Sequence, residues 1–159
     1  SIRDRMKNHN NLVILRSLSK IGLAGLRVGY GIFPSILADE INKVRHPYNS
    51  NSISQIAATE LLQNFSMVQK QIDSIKGERI RLLEEFTKIK SITAYPSDAN
   101  FILFQTSDNG EKIFRNLLEN NILVRNLGTH PMLKNCLRVT IGTREENDQF
   151  FDQLKHAIK

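Results

Sequence analysis

Ser17-Leu18-Ser19-Lys20, followed by Gly25-Leu26-Arg27 and Gly29-Tyr30, governs how the rest of the chain is read. It sets two hydroxyls, one lysine amine and one guanidinium within eleven residues. Directly before it runs Leu12-Val13-Ile14-Leu15, an apolar stretch that reads as a buried strand. A lysine at the mouth of such a strand forms a Schiff base if its amine is partly desolvated and loses its proton near neutral pH. Ser17, Ser19 and Arg27 carry donors suited to a phosphate. A lysine for an aldehyde, with hydroxyls and an arginine for a phosphate, is the set that pyridoxal phosphate requires. Ser-x-Ser-Lys by itself is also compatible with a plain strand-to-loop turn bearing an exposed lysine.

The string from Ser17 to Tyr30, Ser-Leu-Ser-Lys-Ile-Gly-Leu-Ala-Gly-Leu-Arg-Val-Gly-Tyr, resembles the cofactor-lysine segment of fold-type I aminotransferases. Within that superfamily it is most similar to the histidinol-phosphate aminotransferases. The resemblance implies that Lys20 is catalytic and holds pyridoxal 5'-phosphate, with Ser17, Ser19 and Arg27 anchoring the cofactor phosphate.

The chain has 159 residues, 40% of them hydrophobic, which is enough for one ordinary core. It has no run of eighteen apolar residues, so no membrane-spanning helix is expected. The start, Ser1-Ile2-Arg3-Asp4-Arg5, is polar and charged and does not read as a signal peptide. Cys136 is the only cysteine, which rules out an internal disulfide and points to a reducing, cytoplasmic compartment. His9, His46, His130 and His156 are scattered, and none has a cysteine or carboxylate at ligand spacing, so no metal site is expected. The net charge of +6 is uneven. Residues 1–90 hold 14 Lys and Arg against 8 Asp and Glu, whereas residues 91–159 hold 8 of each. A basic half invites a nucleic-acid reading. No aromatic-rich RNA motif accompanies it and the cations form no run, so no nucleic-acid partner is expected.

Along the chain, residues 2–9 read as the tail of a helix and Asn8-His9-Asn10-Asn11 as a turn. Strands are predicted over 12–16 and 28–33, flanking a cofactor loop in which Gly22 and Gly25 allow close backbone approach. Pro34-Ser35 opens a helix to about Val44 with Ile36, Leu37, Ile41 and Val44 on one side. After the break His46-Pro47-Tyr48-Asn49-Ser50-Asn51 come a helix over 52–64 and a long one over 66–90, the latter spaced by Val68, Ile72, Ile75, Leu82, Leu83, Phe86 and Ile89. Beyond Ser91 the pattern is a compact α/β alternation. Strands are predicted over 92–95, 101–104, 122–124 and 136–141. Asp108-x-x-Glu111 reads as a capping box for a helix to about Asn120 that buries Ile113, Leu117 and Leu118. Thr143-x-x-Glu146 reads as a second box, opening a final helix with Phe150, Phe151, Leu154 and Ile158 on its buried side.

A second constellation lies in this last part. In the strand 136–141, Leu137, Val139 and Ile141 share the core face, so Arg138 points the other way. An arginine there holds an anion bidentately. On pattern alone, Arg125 and Arg138 are equally open to a reading as surface ion-pair partners. Ser97-Asp98-Ala99-Asn100-Phe101, the Val124-Arg125 pair and the run from Cys136 to Asn147 resemble the histidinol-phosphate aminotransferases in order and spacing. That resemblance implies that Arg138 binds a substrate carboxylate or phosphate, that Arg125 assists with the phosphate, and that Asn100 belongs to the substrate site. Arg144 and Thr143 read as helix-cap residues, and His130 as a loop residue.

The fold implied is α/β, the C-terminal part of a pyridoxal-phosphate-dependent transferase of roughly twice this length. Residues 1–65 are then a remnant of a large doubly wound cofactor-binding domain. Residues 66–90 form an interdomain helix and residues 91–159 a small C-terminal α/β domain. The implied reaction is amino transfer between glutamate and imidazole acetol phosphate, a step of histidine biosynthesis, carried out by a homodimer. The family's aspartate for the pyridine nitrogen stands in an Asp-Glu-Ala-Tyr-like motif, whereas Asp4 is followed by Arg5-Met6 and does not match it. The expectation is therefore an incomplete, inactive polypeptide when alone. Three alternatives stay open at this stage. One is another fold-type I enzyme, such as an aromatic aminotransferase or a threonine-phosphate decarboxylase. The others are a non-catalytic basic binding module, and a fragment that self-associates through uncovered strand edges.

Overall fold

Side-chain alternation builds the larger of two sheets in this computed structural model, which describes residues 2–107 and 109–158. The chain divides into two compact units, one running to Gln69 and the other from Lys70.

In the first unit a 3-10 turn, Ile2–Asn8, stands where the sequence suggested the tail of a helix. Strands β1 (Ile14–Ser17) and β2 (Gly29–Ile32) pair antiparallel, with Ile14 opposite Ile32 and Ser17 opposite Gly29. Two 3-10 turns, Leu18–Ile21 and Ala24–Leu26, fill the connection. The expected strand over 12–16 therefore starts and ends later. It is also not buried as a whole: Ile14 is, but Leu15 is 74% exposed because it faces the other side of a two-stranded ribbon. Helix α1 (Ser35–Val44) follows Pro34 as expected. Its apolar positions do not form a covered stripe in this unit, with Ile36 80% and Val44 83% exposed. Helix α2 (Ser52–Gln63) is capped by Asn51, whose Oδ1 accepts from the Ser54 amide at 2.8 Å. Helix α3 (Phe65–Thr87) contains the division between the units.

The second unit contains β3 (Ile92–Ala94), β4 (Phe101–Thr106), α4 (Gly110–Glu119), β5 (Arg125–Asn126), β6 (Cys136–Thr140) and α5 (Arg144–Ala157). The sheet order is β3-β4-β6-β5, and every neighbouring pair is antiparallel. β4 alternates strictly: Ile102, Phe104 and Thr106 are buried, while Phe101, Leu103 and Gln105 face away. The buried face meets Leu82 and Phe86 of α3, Ile113 and Leu117 of α4, and Phe150, Phe151 and Leu154 of α5. All three helices thus cover one face of the sheet. Phe86 anchors this core, its ring centroid 5.0 Å from that of Phe104 and 4.9 Å from that of Phe151.

Two expectations need correction here, and a third falls partly outside the described residues. Ile122-Leu123-Val124 is not a strand. Asn121 takes a left-handed turn (φ 61°) as α4 ends, the Ile122 amide bonds back to the Leu117 carbonyl at 2.8 Å, and pairing begins only at Arg125. Leu118 is 48% exposed rather than buried. The Asp108 half of the expected capping box lies outside the described residues; the cap of α4 is Asn109, whose Oδ1 accepts from the Glu111 and Lys112 amides. The box at α5 forms as read, with Thr143 and Glu146 each bonding the other's backbone amide.

Candidate functional site

The segment from Ser17 to Tyr30 owes its shape to its ends. Ser17 ends β1 and caps the following 3-10 turn, its Oγ accepting from the Ser19 amide at 3.1 Å. The same Oγ lies 2.9 Å from Ser19 Oγ. Gly22 closes the turn at φ 89°, the left-handed region where glycine carries no steric penalty. Its role is thus conformational: nothing lies within 4 Å of where its Cβ would stand, and the same holds for Gly25. Close approach occurs instead at Gly29, where a Cβ would stand 2.7 Å from the Arg16 carbonyl oxygen. Arg27 is itself left-handed (φ 55°). The amide of Leu18 bonds to the carbonyl of Val28 at 3.1 Å, which ties the serine turn to the residue after Arg27. Two adjacent hydroxyls, the Lys20 amine and the Arg27 guanidinium thus belong to one short connection between paired strands. Ser17, Lys20 and Arg27 are exposed and Ser19 is half-buried.

The second group lies on the face of the large sheet opposite its three helices. Arg125 and Arg138 are directly opposite each other in the β5–β6 ladder. Like charges in that position repel. Among the described residues no carboxylate forms an ion pair with either. The surface salt-bridge alternative therefore finds no partner here. Both line an open recess of about 360 Å³ with Leu123, Val124 and Thr140. Asn100 stands just before β4, and its carbonyl accepts from the Ile141 amide at 3.0 Å, tying it to the end of β6. Arg125, Arg138 and Asn100 thus share one unit, whereas Ser17, Ser19, Lys20 and Arg27 belong to the other.

Three residues to which the sequence reading gave no role in the site brace this unit. Arg79 of α3 donates from Nη1 to the Ala99 carbonyl at 3.1 Å and lies 3.8 Å from Asp98 Oδ1, pinning the turn that carries Asn100. Phe101 lies beneath the Arg138 guanidinium, with the ring centroid 4.8 Å from Cζ. Asn147 is 2% exposed and brackets Gly142, donating to its carbonyl at 3.1 Å and accepting from its amide at 3.0 Å. It also donates to Glu78 Oε2 at 2.8 Å. Glu78 in turn binds Arg81, which reaches Asp148 at 2.7 Å, so α3 and α5 are cross-braced. Hydrogen bonding from Arg81 holds the Glu78 carboxyl below its ordinary range and raises the Arg81 guanidinium in turn. Burial raises the Cys136 thiol. An asparagine three residues into a helix carries no sequence signal for such a role. For Arg79, the only hint was a cation on the apolar side of a long helix.

A family model of aminotransferase class I and II matches residues 1–154. The chain is 43% identical over 150 residues to histidinol-phosphate aminotransferase of Neisseria gonorrhoeae, covering 94% of this chain and 42% of that one. It thus spans under half the length of that relative. The structure superposes on histidinol-phosphate aminotransferase from Clostridium acetobutylicum with a TM-score of 0.87 and 30% identity, over 98% of this chain and 48% of the other. It also superposes on the Sinorhizobium meliloti enzyme of that name, in complex with pyridoxal-5'-phosphate, with a TM-score of 0.80 and 25% identity over 94% of this chain and 41% of the other.

Proposed function

The chain belongs to the aminotransferase class I and II family, and on that footing we propose that it contributes the cofactor lysine and the substrate arginines of a pyridoxal-phosphate-dependent transaminase acting on histidinol phosphate. The observation that carries this reading is the serine turn. Two hydroxyls 2.9 Å apart, with Lys20 next in sequence and Arg27 on the same connection between β1 and β2, are a donor set matched to a phosphate next to an aldehyde. The residues therefore fit the cofactor.

In this reading Ser17, Ser19 and Arg27 would bind the cofactor phosphate. Lys20 Nζ holds the cofactor and is the base for the proton on the substrate Cα. Pyridoxal phosphate, when bound, supplies the electron sink for that proton's removal. Arg138 and Arg125 bind the anionic end of the substrate, a phosphate in histidinol phosphate or a carboxylate in glutamate, and Asn100 lines the same site. The domain assignment belongs to the proposal: residues 1–65 in a cofactor domain, 66–90 an interdomain helix and 91–159 a small domain. Division of the chain inside α3 supports it. A homodimer in the cytoplasm is the assembly and compartment proposed. Among the described residues, no helix is long and apolar enough to cross a membrane.

The test is borohydride reduction of the chain mixed with pyridoxal phosphate, followed by peptide mass mapping. The expected result is a label at Lys20 that disappears in Lys20→Ala. A label spread over several lysines and unchanged in Lys20→Ala would refute the assignment.

A further inference from the structure

The face of the large sheet opposite its helices carries a ring that lies outside the hydrophobic core. Ile102 and Phe104 of β4 belong to the hydrophobic core, but Phe101 faces the other way and does not. Its cross-strand partner is Thr140, while Leu103 is the partner of Arg138. Phe101 is therefore the diagonal neighbour of Arg138 on one face, within reach of a long side chain. Arg138 leans along that diagonal, with Cζ 4.8 Å from the ring centroid, inside the range of a cation–π contact. The residue directly opposite Arg138 is the like-charged Arg125.

We propose that Phe101 is a positioning residue, whose ring holds the Arg138 guanidinium against repulsion from Arg125 and so keeps both arginines converging on one anion. The inference rests on the proposal that these arginines bind the substrate anion. A guanidinium stacked flat on a ring keeps its N–H edge free, so it remains able to grip an oxyanion bidentately. Without the ring, Arg138 swings away from Arg125 in the unliganded chain, and binding an anion has to restore its orientation.

The test uses the 159-residue chain, inorganic phosphate as probe, and NMR of the arginine Nε–Hε groups. Stacking predicts an upfield ring-current shift of the Arg138 Hε resonance in the free chain, and cross-relaxation between Phe101 ring protons and Arg138 Cδ protons. Phe101→Leu is expected to abolish the shift and weaken phosphate binding about two- to fivefold, the range of an exposed cation–π contact. Phe101→Tyr restores both, and in an Arg138→Gln background Phe101→Leu has no further effect. If Arg138→Gln weakens phosphate binding but Phe101→Leu leaves binding and shift unchanged, the positioning role is overturned and the anion site stands. If phosphate binding is indifferent to Arg138→Gln, both fall. Should Phe101→Leu fail to fold, the wild-type spectrum decides: absence of the ring-current shift and of the cross-relaxation overturns the proposal.

Discussion

Replacing Asn147 by alanine removes three hydrogen bonds from a side chain that is 2% exposed. Two run to the backbone of Gly142 and are worth about 0.5–1.5 kcal/mol each; the third, to the Glu78 carboxylate, falls in the range of about 1.5–3 kcal/mol for charged partners. The loss is smaller than their sum. Gly142 is half-buried, so water reaches part of what is exposed, and Arg81 still holds Glu78 through contacts of 2.6–3.1 Å. The expected net cost is about 2–3 kcal/mol of stability in this unit. Urea unfolding would measure it, with exchange of the Thr106 and Ile141 amides reporting on this unit, since both bond to backbone carbonyls of the sheet region. The cost also depends on pH. Glu78 titrates below its ordinary value of 4.5 in the folded chain, held there first by Arg81 and also by the Asn147 amide. A carboxyl lowered by folding contributes stability that is fully present above its unfolded value and is lost as pH falls through its folded value. Asn147→Ala relaxes Glu78 upward, so its penalty is larger at neutral pH than in acid. A loss under about 1 kcal/mol at neutral pH would refute the view that this side chain braces α3 against α5.

Thr143→Ala opens the capping box of α5, in which Thr143 Oγ1 accepts from the Glu146 amide at 3.3 Å and Glu146 Oε2 from the Thr143 amide at 2.7 Å. The expected cost is about 1 kcal/mol in urea unfolding, with Thr143→Ser near wild type; equal losses in both variants would mean that the hydroxyl is not the capping group. Gly29→Ala drives a methyl to 2.7 Å from the Arg16 carbonyl oxygen on the paired strand, so β1 and β2 must part beside the serine turn. Borohydride labelling of Lys20 is expected to fall well below wild type in that variant. Labelling at the wild-type level would show that the turn does not depend on this pairing.

Elements were legible where one physical cause dominates. The final helix announced itself twice, by a cap pair at Thr143 and Glu146 and by Phe150, Phe151 and Leu154 at core spacing, and both held. Strand β6 was legible because Leu137 and Val139 alternate with an arginine that has no place in a core. Legibility failed where tertiary contact rather than pattern decides the outcome. Ile122, Leu123 and Val124 have a strand's composition, but the left-handed Asn121 and the bond from Ile122 back to Leu117 spend those residues on leaving α4. Val124 is buried and Leu123 is 79% exposed, and the edge ladder starts one residue later. In the first unit, apolar stripes correctly marked α1 and β1, yet Ile36, Val44 and Leu15 stay open, because periodicity reports which face can be buried and not what buries it. The glycines show the same limit: Gly22, Gly25 and Gly29 look alike in sequence, yet only Gly22 needs a left-handed backbone and only Gly29 is crowded.

The candidate site was legible in its charges and silent in its supports, and the two differ in what they do for the fold. Arg125 opposite Arg138, with no carboxylate paired to either among the described residues, is unfavourable for the sheet that carries it. A sequence shaped by stability alone would place an acid at one of the two positions. In the proposed reading, the substrate anion relieves this repulsion when it binds. The supports are ordinary stabilising contacts: a ring under Arg138, Arg79 on the Ala99 carbonyl and Asn147 around Gly142. They lie on three different segments, β4, α3 and α5, and none is recognisable until the fold brings it to its partner. The cost is borne at the two arginines, and the compensation comes from residues that only the tertiary structure identifies.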